Sequence, residues 1–170
     1  MADVHVLVVF YSRYGKSEEL ALAAGVGAIQ AKGDIRLRRL GDSADQAAID
    51  EDAAWKSALE RMRRDYVEPR PADFTWADVV ILAVPSDAPG EMLEYLDRLR
   101  GDSSAPHKLA APIVGGVDVD ARLLDRLRSA CQAASMTVCA TLDGLLDAGS
   151  AREVGHRAVA AARDRERPAH

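Results

Sequence analysis

The sequence predicts an α/β domain built on a parallel sheet with helices on both faces, and three observations predict it. Five short apolar runs, at 4–10, 35–40, 78–84, 109–114 and 137–142, alternate with amphipathic or alanine-rich stretches. That alternation is the mark of βαβ units with right-handed crossovers. The first run, VHVLVVF, ends abruptly in Tyr-Ser-Arg-Tyr-Gly-Lys-Ser, and a helical pattern starts at once. This is how a chain leaves a buried parallel strand and aims a helix N-terminus at an anion. Finally, 170 residues are enough for one domain with a substantial core.

The run at 4–10 is apolar on both faces, as a buried parallel strand must be. A helix is predicted over 17–31, with Ser17 as its cap, Glu18 and Glu19 at the positive end of its dipole, and Gly33 as its stop. The run at 35–40, IRLRRL, half alternates and reads as a strand nearer the sheet edge. The stretch 41–76 is an insertion packed against the body rather than a second domain. It holds an acidic segment at 42–52, a helix over 50–66 with Trp55, Leu59 and Met62 on one side, and Pro69 and Pro71 at its exit. The run at 78–84, DVVILAV, is strongly β-branched and reads as a central strand. Helices are predicted over 90–100, 121–135 and 151–165, the last capped by Ser150, with strands at 109–114 and 137–142 between them. The domain runs over 1–163, and 164–170 is a polar tail.

Composition narrows the function classes. A net charge of −5 argues against a nucleic-acid partner, which selects for a basic face. No apolar run reaches membrane-spanning length, and no charged segment followed by an export-type apolar segment opens the chain, so the expected location is the cytoplasm. Cys131 and Cys139 match neither a CxxC nor a zinc spacing and read as buried apolar thiols. His5, His107, His156 and His170 show no ligand spacing, and no metal is assigned.

Three chemistries place a phosphate after a first strand. The P-loop requires G-x-x-x-x-G-K-[ST]. Gly15-Lys16-Ser17 supplies its end, but Phe10 stands where the first glycine belongs, and the loop is too short to wrap a triphosphate. The dinucleotide fingerprint G-x-G-x-x-G is absent. What remains is a short hydroxyl-rich loop, with Ser12, Tyr14 and Ser17 around Gly15, suited to a single terminal phosphomonoester held by hydroxyls and amides. Arg13 and Lys16 add charge or point to solvent. The alternative for the whole loop is an ordinary strand-to-helix turn.

These residues resemble the flavodoxin-like superfamily, and within it the WrbA-type NAD(P)H:quinone oxidoreductases. VLVVFYSRYGKSEE at 6–19 is similar to that family's first strand and FMN-phosphate loop. DVVILAVPSDAPGEMLEYLDRL at 78–99 is similar to its third strand, flavin-ring loop and following helix. Residues 108–111 with Gly115-Gly116 resemble its fourth strand and flavin loop. The resemblance implies a flavodoxin-like three-layer sandwich, a five-stranded parallel sheet of order 2-1-3-4-5, and a ligand at the carboxyl ends of the strands. It implies FMN, with its phosphate on Ser12, Arg13, Tyr14, Gly15, Lys16 and Ser17. The ring would lie between Pro85, Ser86, Asp87, Ala88 and Gly90 on one side and Gly115, Gly116, Val117 and Asp118 on the other. It also implies NAD(P)H as co-substrate, a quinone-type acceptor, and a homodimer or homotetramer. No catalytic acid or base is assigned, because the cofactor carries the chemistry.

Two departures stand out. The loop after Pro85-Ser86 passes straight through Asp87-Ala88-Pro89 into the helix, and the loop after the fourth strand is short. Both walls of the ring site are therefore shortened, which motivates an alternative: a flavodoxin-fold protein with weak or lost FMN binding, acting as a binding or regulatory module. Asp87 reads first as the cap of the following helix; as a carboxylate near the flavin it would instead lower the potential. A response-regulator receiver shares the sheet order, but Tyr11-Ser12 and Pro85-Ser86 stand where its acidic cluster and phosphorylated aspartate would be. Trp55, Met62 and Trp76 either form an apolar patch for association or pack on the chain's own sheet.

Overall fold

The first apolar run becomes β1 (Val4–Phe10), which pairs in parallel with β2 (Gly33–Arg39) on one side and β3 (Val79–Pro85) on the other. Next to β3 lie β4 (Leu109–Gly115) and then β5 (Thr137–Val138), giving the parallel order β2-β1-β3-β4-β5. The structure is a computed structural model and describes residues 3–116, 121–140 and 147–166. The outer part of the fifth run, at 141–142, lies outside the described residues.

Successive side chains of β1 point to opposite faces and build two cores. Val4, Val6, Val8 and Phe10 pack under α1 (Lys16–Gln30) and α7 (Ala148–Glu166). Leu7, Val9 and Tyr11 pack under α5 (Gly90–Arg98) and α6 (Ala121–Ala133). A three-layer sandwich results. On the first face α1 and α7 meet backbone to backbone. A Cβ on Gly27 would stand 1.9 Å from the Arg152 carbonyl oxygen, and one on Gly155 would stand 2.0 Å from that of Ala24. No described helix is long and apolar enough to cross a membrane.

The insertion folds as α2 (Gln46–Glu51), α3 (Ala53–Asp65) and α4 (Pro71–Trp76). Asp52 caps α3 by accepting from the Trp55 N–H at 3.1 Å. Trp55 and Leu59 bury against Ile49, and Met62 enters the core under α1. These side chains are therefore not an exposed patch for association; they attach the insertion to its own domain. Its exit covers the end of the edge strand, where the Arg39 N–H donates to the Val67 carbonyl at 3.0 Å. Trp76, half-buried, stacks on His5 with ring centroids 4.4 Å apart.

Several helix boundaries differ from the sequence expectation. Ser17 does not cap α1: Gly15 occupies the cap position in the left-handed region (φ 102°), with no side-chain cap bond. The helix stops before Gly33, with Lys32 in the left-handed region, so Gly33 opens β2 instead. Asp147, not Ser150, caps α7, its carboxylate accepting from the Ser150 N–H at 2.7 Å. Asp87 does not cap α5, which starts at Gly90 behind Pro89. Cys131 is buried and Cys139 partly buried, both as free thiols, and burial raises them to about 12 and about 11.

Candidate functional site

Tyr11 is the last residue of the first segment to bond across the sheet, its N–H donating to the Ala83 carbonyl at 3.1 Å. The chain then leaves the sheet at Ser12. The Ser12 hydroxyl oxygen accepts from the Gly15 N–H at 2.9 Å and closes a tight turn. Gly15 supplies the positive φ that lets the helix start there. The first backbone bond back to the cap is Glu19 N–H to the Gly15 carbonyl, at 3.1 Å. The N–H groups of Lys16, Ser17 and Glu18 accordingly have no acceptor among the described residues. Ser17 itself is 1% exposed, and its hydroxyl has no hydrogen-bond partner among the described residues. A buried polar atom left unpaired is costly and uncommon. An anion at this N-terminus would satisfy the hydroxyl and the amides together.

Beside this N-terminus lies a cavity of about 480 Å³, within the usual size of small-molecule sites, about 300–1,000 Å³. Ser12, Arg13, Tyr14, Lys16 and Ser17 form one side; Pro85, Ser86, Asp87, Gly115 and Gly116 form the other. The two short loops of the second side are tied together by the Ser86 N–H donating to the Gly115 carbonyl at 2.9 Å. Side chains crowd both glycines. A Cβ on Gly115 would stand 2.6 Å from Leu20 Cδ1, and one on Gly116 would stand 2.1 Å from the Ser86 hydroxyl. Of the remaining residues singled out in the sequence, Gly15 sits at the turn, Ala88 is buried in the core under α5, and Gly90 opens α5. Val117 and Asp118 lie outside the described residues.

The fold has clear relatives among solved structures. A short-chain flavodoxin associated with a non-canonical PDU bacterial microcompartment superposes with a TM-score of 0.64 at 16% identity, over 94% of this chain and 99% of that one. Megasphaera elsdenii flavodoxin superposes with a TM-score of 0.59 at 17% identity, over 91% and 98%. The chain has a flavodoxin-like fold. In sequence, this flavodoxin-like chain is 33% identical over 103 residues to an NAD(P)H dehydrogenase (quinone) of Deinococcus radiodurans. That match covers 59% of this chain and 51% of the relative, so the chain spans about half the length of the curated relative it matches. No family model matches the chain.

The loop of this flavodoxin-like chain is braced by the insertion and by the end of β2. Tyr14 is 55% exposed, and its hydroxyl donates to Asp52 of the insertion at 2.5 Å. That bond raises the Tyr14 hydroxyl above its ordinary range and lowers the Asp52 carboxyl below its own. The Arg13 guanidinium lies 4.4 Å from the Trp55 ring centroid and donates to the Tyr11 hydroxyl at 3.1 Å, so its stem and charge lean on the insertion. Lys16 is exposed at the cavity mouth. Arg39 and Asp42 are buried as an ion pair at 3.0 Å behind the loop. The only sequence signal for them is position, at the end of the edge strand and the start of the acidic stretch.

Glu18, one turn into α1, faces α3 instead of the cavity and takes a two-pronged contact from Arg61 at 2.6 and 2.8 Å. The hydrogen-bonded guanidinium holds its carboxyl below the ordinary value of 4.5, against the opposing effect of burial. A folded value below the unfolded one stabilises the fold above the unfolded value and is lost as pH falls through the folded value. Arg61 is half-exposed, so solvent screens the pair. Glu18→Gln is expected to cost about 1 kcal/mol at pH 7 and to flatten the acid limb of stability below the ordinary carboxylate range. Urea unfolding at pH 7 and pH 3 checks this; a variant whose stability falls with acid as steeply as the parent's contradicts it.

Proposed function

We propose that the chain is an FMN-binding flavodoxin-like oxidoreductase that passes electrons from NAD(P)H to a quinone-type acceptor. The observation that carries the proposal is the Ser17 hydroxyl, buried beside three amides of α1 with which it shares the lack of a partner among the described residues, in a residue that lines a cavity of ligand size. The donor set suits a terminal phosphomonoester: neutral hydroxyls and amides, with Lys16 and Arg13 supplying positive charge at the rim. Ser12, Gly15, Lys16 and Ser17 would hold the phosphate, and Pro85–Asp87 with Gly115 and Gly116 would flank the ring. When bound, the flavin supplies the two-electron chemistry that joins a nicotinamide donor to the acceptor.

The chain's own contribution is placement. The turn at Gly15 points the α1 N-terminus into the cavity, and the bond from Ser86 to Gly115 sets the spacing of the opposite wall. Asp87, exposed on that wall, brings a negative charge to the ring side. Tyr14, the only aromatic residue among the described residues lining the cavity, is held by Asp52. The relative from Deinococcus radiodurans, by its name a quinone-type NAD(P)H dehydrogenase, supports the donor and the acceptor. The same reading places the protein in the cytoplasm and takes a homodimer or homotetramer as its assembly.

The test is to incubate the purified chain with FMN, remove free flavin, and assay NADH and NADPH oxidation with and without a soluble quinone. The expected result is yellow protein with near-stoichiometric flavin and quinone-dependent nicotinamide oxidation. Protein that stays colourless after micromolar FMN would instead support the binding-module alternative.

A further inference from the structure

We infer that Arg39 and Asp42 are positioning residues for the phosphate loop, together acting as a buried bracket that turns the Ser12 carbonyl away from the anion. The inference rests on the proposed FMN site. The Arg39 side chain is 6% exposed and that of Asp42 is 2% exposed. One guanidinium nitrogen of Arg39 donates to both the Ser12 carbonyl, at 2.8 Å, and the Asp42 carboxylate, at 3.0 Å. The other donates to the Leu40 carbonyl at 3.1 Å. The second Asp42 oxygen accepts from the Tyr11 hydroxyl at 2.9 Å and from the Trp55 indole N–H at 3.2 Å. Asp42 thus gathers the exit of β1, the end of β2 and helix α3 at one carboxylate.

A structural role alone does not account for this arrangement. A buried ion pair is weak evidence for stability, since apolar residues of similar volume often serve as well. What apolar residues cannot do is donate to a carbonyl in the loop. Ser12 lines the cavity, whereas Arg39 does not. The carbonyl that Arg39 takes is therefore drawn to the β2 side. An oxygen facing the cavity would repel an anion, whereas withdrawing it leaves the turn to present hydroxyls and amides. Ser12 then passes the constraint forward, because its hydroxyl accepts from the Gly15 N–H at the helix cap. The insertion contributes to the bracket through Trp55, so a segment remote from the flavin-ring side helps to set phosphate affinity.

The test compares FMN with riboflavin, which lacks the phosphate, in the full chain and in Arg39→Met, Asp42→Asn and Arg39→Lys. Dissociation constants come from flavin fluorescence, and thermal unfolding confirms that each variant is folded. Arg39→Met and Asp42→Asn are expected to weaken FMN about 10- to 100-fold, the loss of a charge-assisted bond in the loop, and to leave riboflavin unchanged. Arg39→Lys keeps the charge but not the fork, and is expected to fall between parent and Arg39→Met. Folded variants that keep the parent's ratio of FMN to riboflavin affinity overturn the inference and leave the FMN reading intact. A parent chain with no preference for FMN over riboflavin overturns both. If Arg39→Met does not fold, Asp42→Asn and Arg39→Lys decide the matter by the same ratio.

Discussion

Ser17→Ala is expected to weaken FMN binding about 10- to 100-fold while leaving the ligand-free protein as stable as the parent or slightly more so. The two effects have opposite signs for one reason. Without an anion, the Ser17 hydroxyl is a buried polar atom with no partner among the described residues, and it adds desolvation cost without return. Alanine removes that cost. With an anion present, the same hydroxyl would make a charge-assisted bond, and alanine forfeits it. Ser12→Ala differs, because the Ser12 hydroxyl already accepts from Gly15 and shapes the turn. It should lower both FMN affinity and stability. Calorimetric titration with FMN, beside thermal unfolding without it, separates the cases. A Ser17→Ala protein that binds FMN as the parent does would place the ligand elsewhere.

Gly27→Ala is expected to destabilise the fold by about 3–5 kcal/mol, an effect of the overpacking class at its upper end. The added methyl would stand 1.9 Å from the Arg152 carbonyl oxygen and 2.8 Å from its carbon. These are backbone atoms, so no side chain can swing aside, and α1 must move away from α7. That movement would also shift the α1 N-terminus, so any FMN affinity should fall with stability. Gly149→Ala is the matched control. Its methyl would lie 3.4 Å from Asp147 Oδ1, an ordinary contact, and alanine is the better helix former. Urea unfolding of the two variants checks the contrast. A Gly27→Ala protein within 1 kcal/mol of the parent, taken as roughly the mean cost of any substitution, would show that the close approach of the helices is not needed.

Much of this architecture is legible in the sequence because burial on both faces leaves a signature that needs no tertiary information. The runs at 4–10, 78–84 and 109–114 are continuous apolar stretches, and each became an inner strand. The half-alternating run at 35–40 became the edge strand β2. The helix caps were less legible. Ser17, Asp87 and Ser150 all have the right chemistry for a cap. At α1 a left-handed glycine takes that place and leaves the serine hydroxyl without a partner among the described residues. At α7 the aspartate three residues before Ser150 takes it. Local sequence cannot decide between such neighbours when a backbone turn determines which residue is first.

The bracket behind the loop was illegible for a different reason. Arg39 is one of three arginines in a run that reads IRLRRL, and Asp42 opens an acidic stretch, so both look like solvated charges. Their burial comes from the insertion folding back over the end of β2, with Val67 and Trp55 bonding to them from farther along the chain. Trp55 and Met62 illustrate the same point, since apolar residues on one side of a helix fit an interface and an internal contact equally well.

The most direct measurement is the pair of dissociation constants of the unmodified chain for FMN and for riboflavin under one set of conditions. If hydroxyls and amides from Ser12 to Ser17 hold a terminal phosphate, FMN binds at least about tenfold more tightly than riboflavin, a difference of about 1.4 kcal/mol, and inorganic phosphate competes with it. Equal affinities, or no binding of FMN at all, would contradict the account.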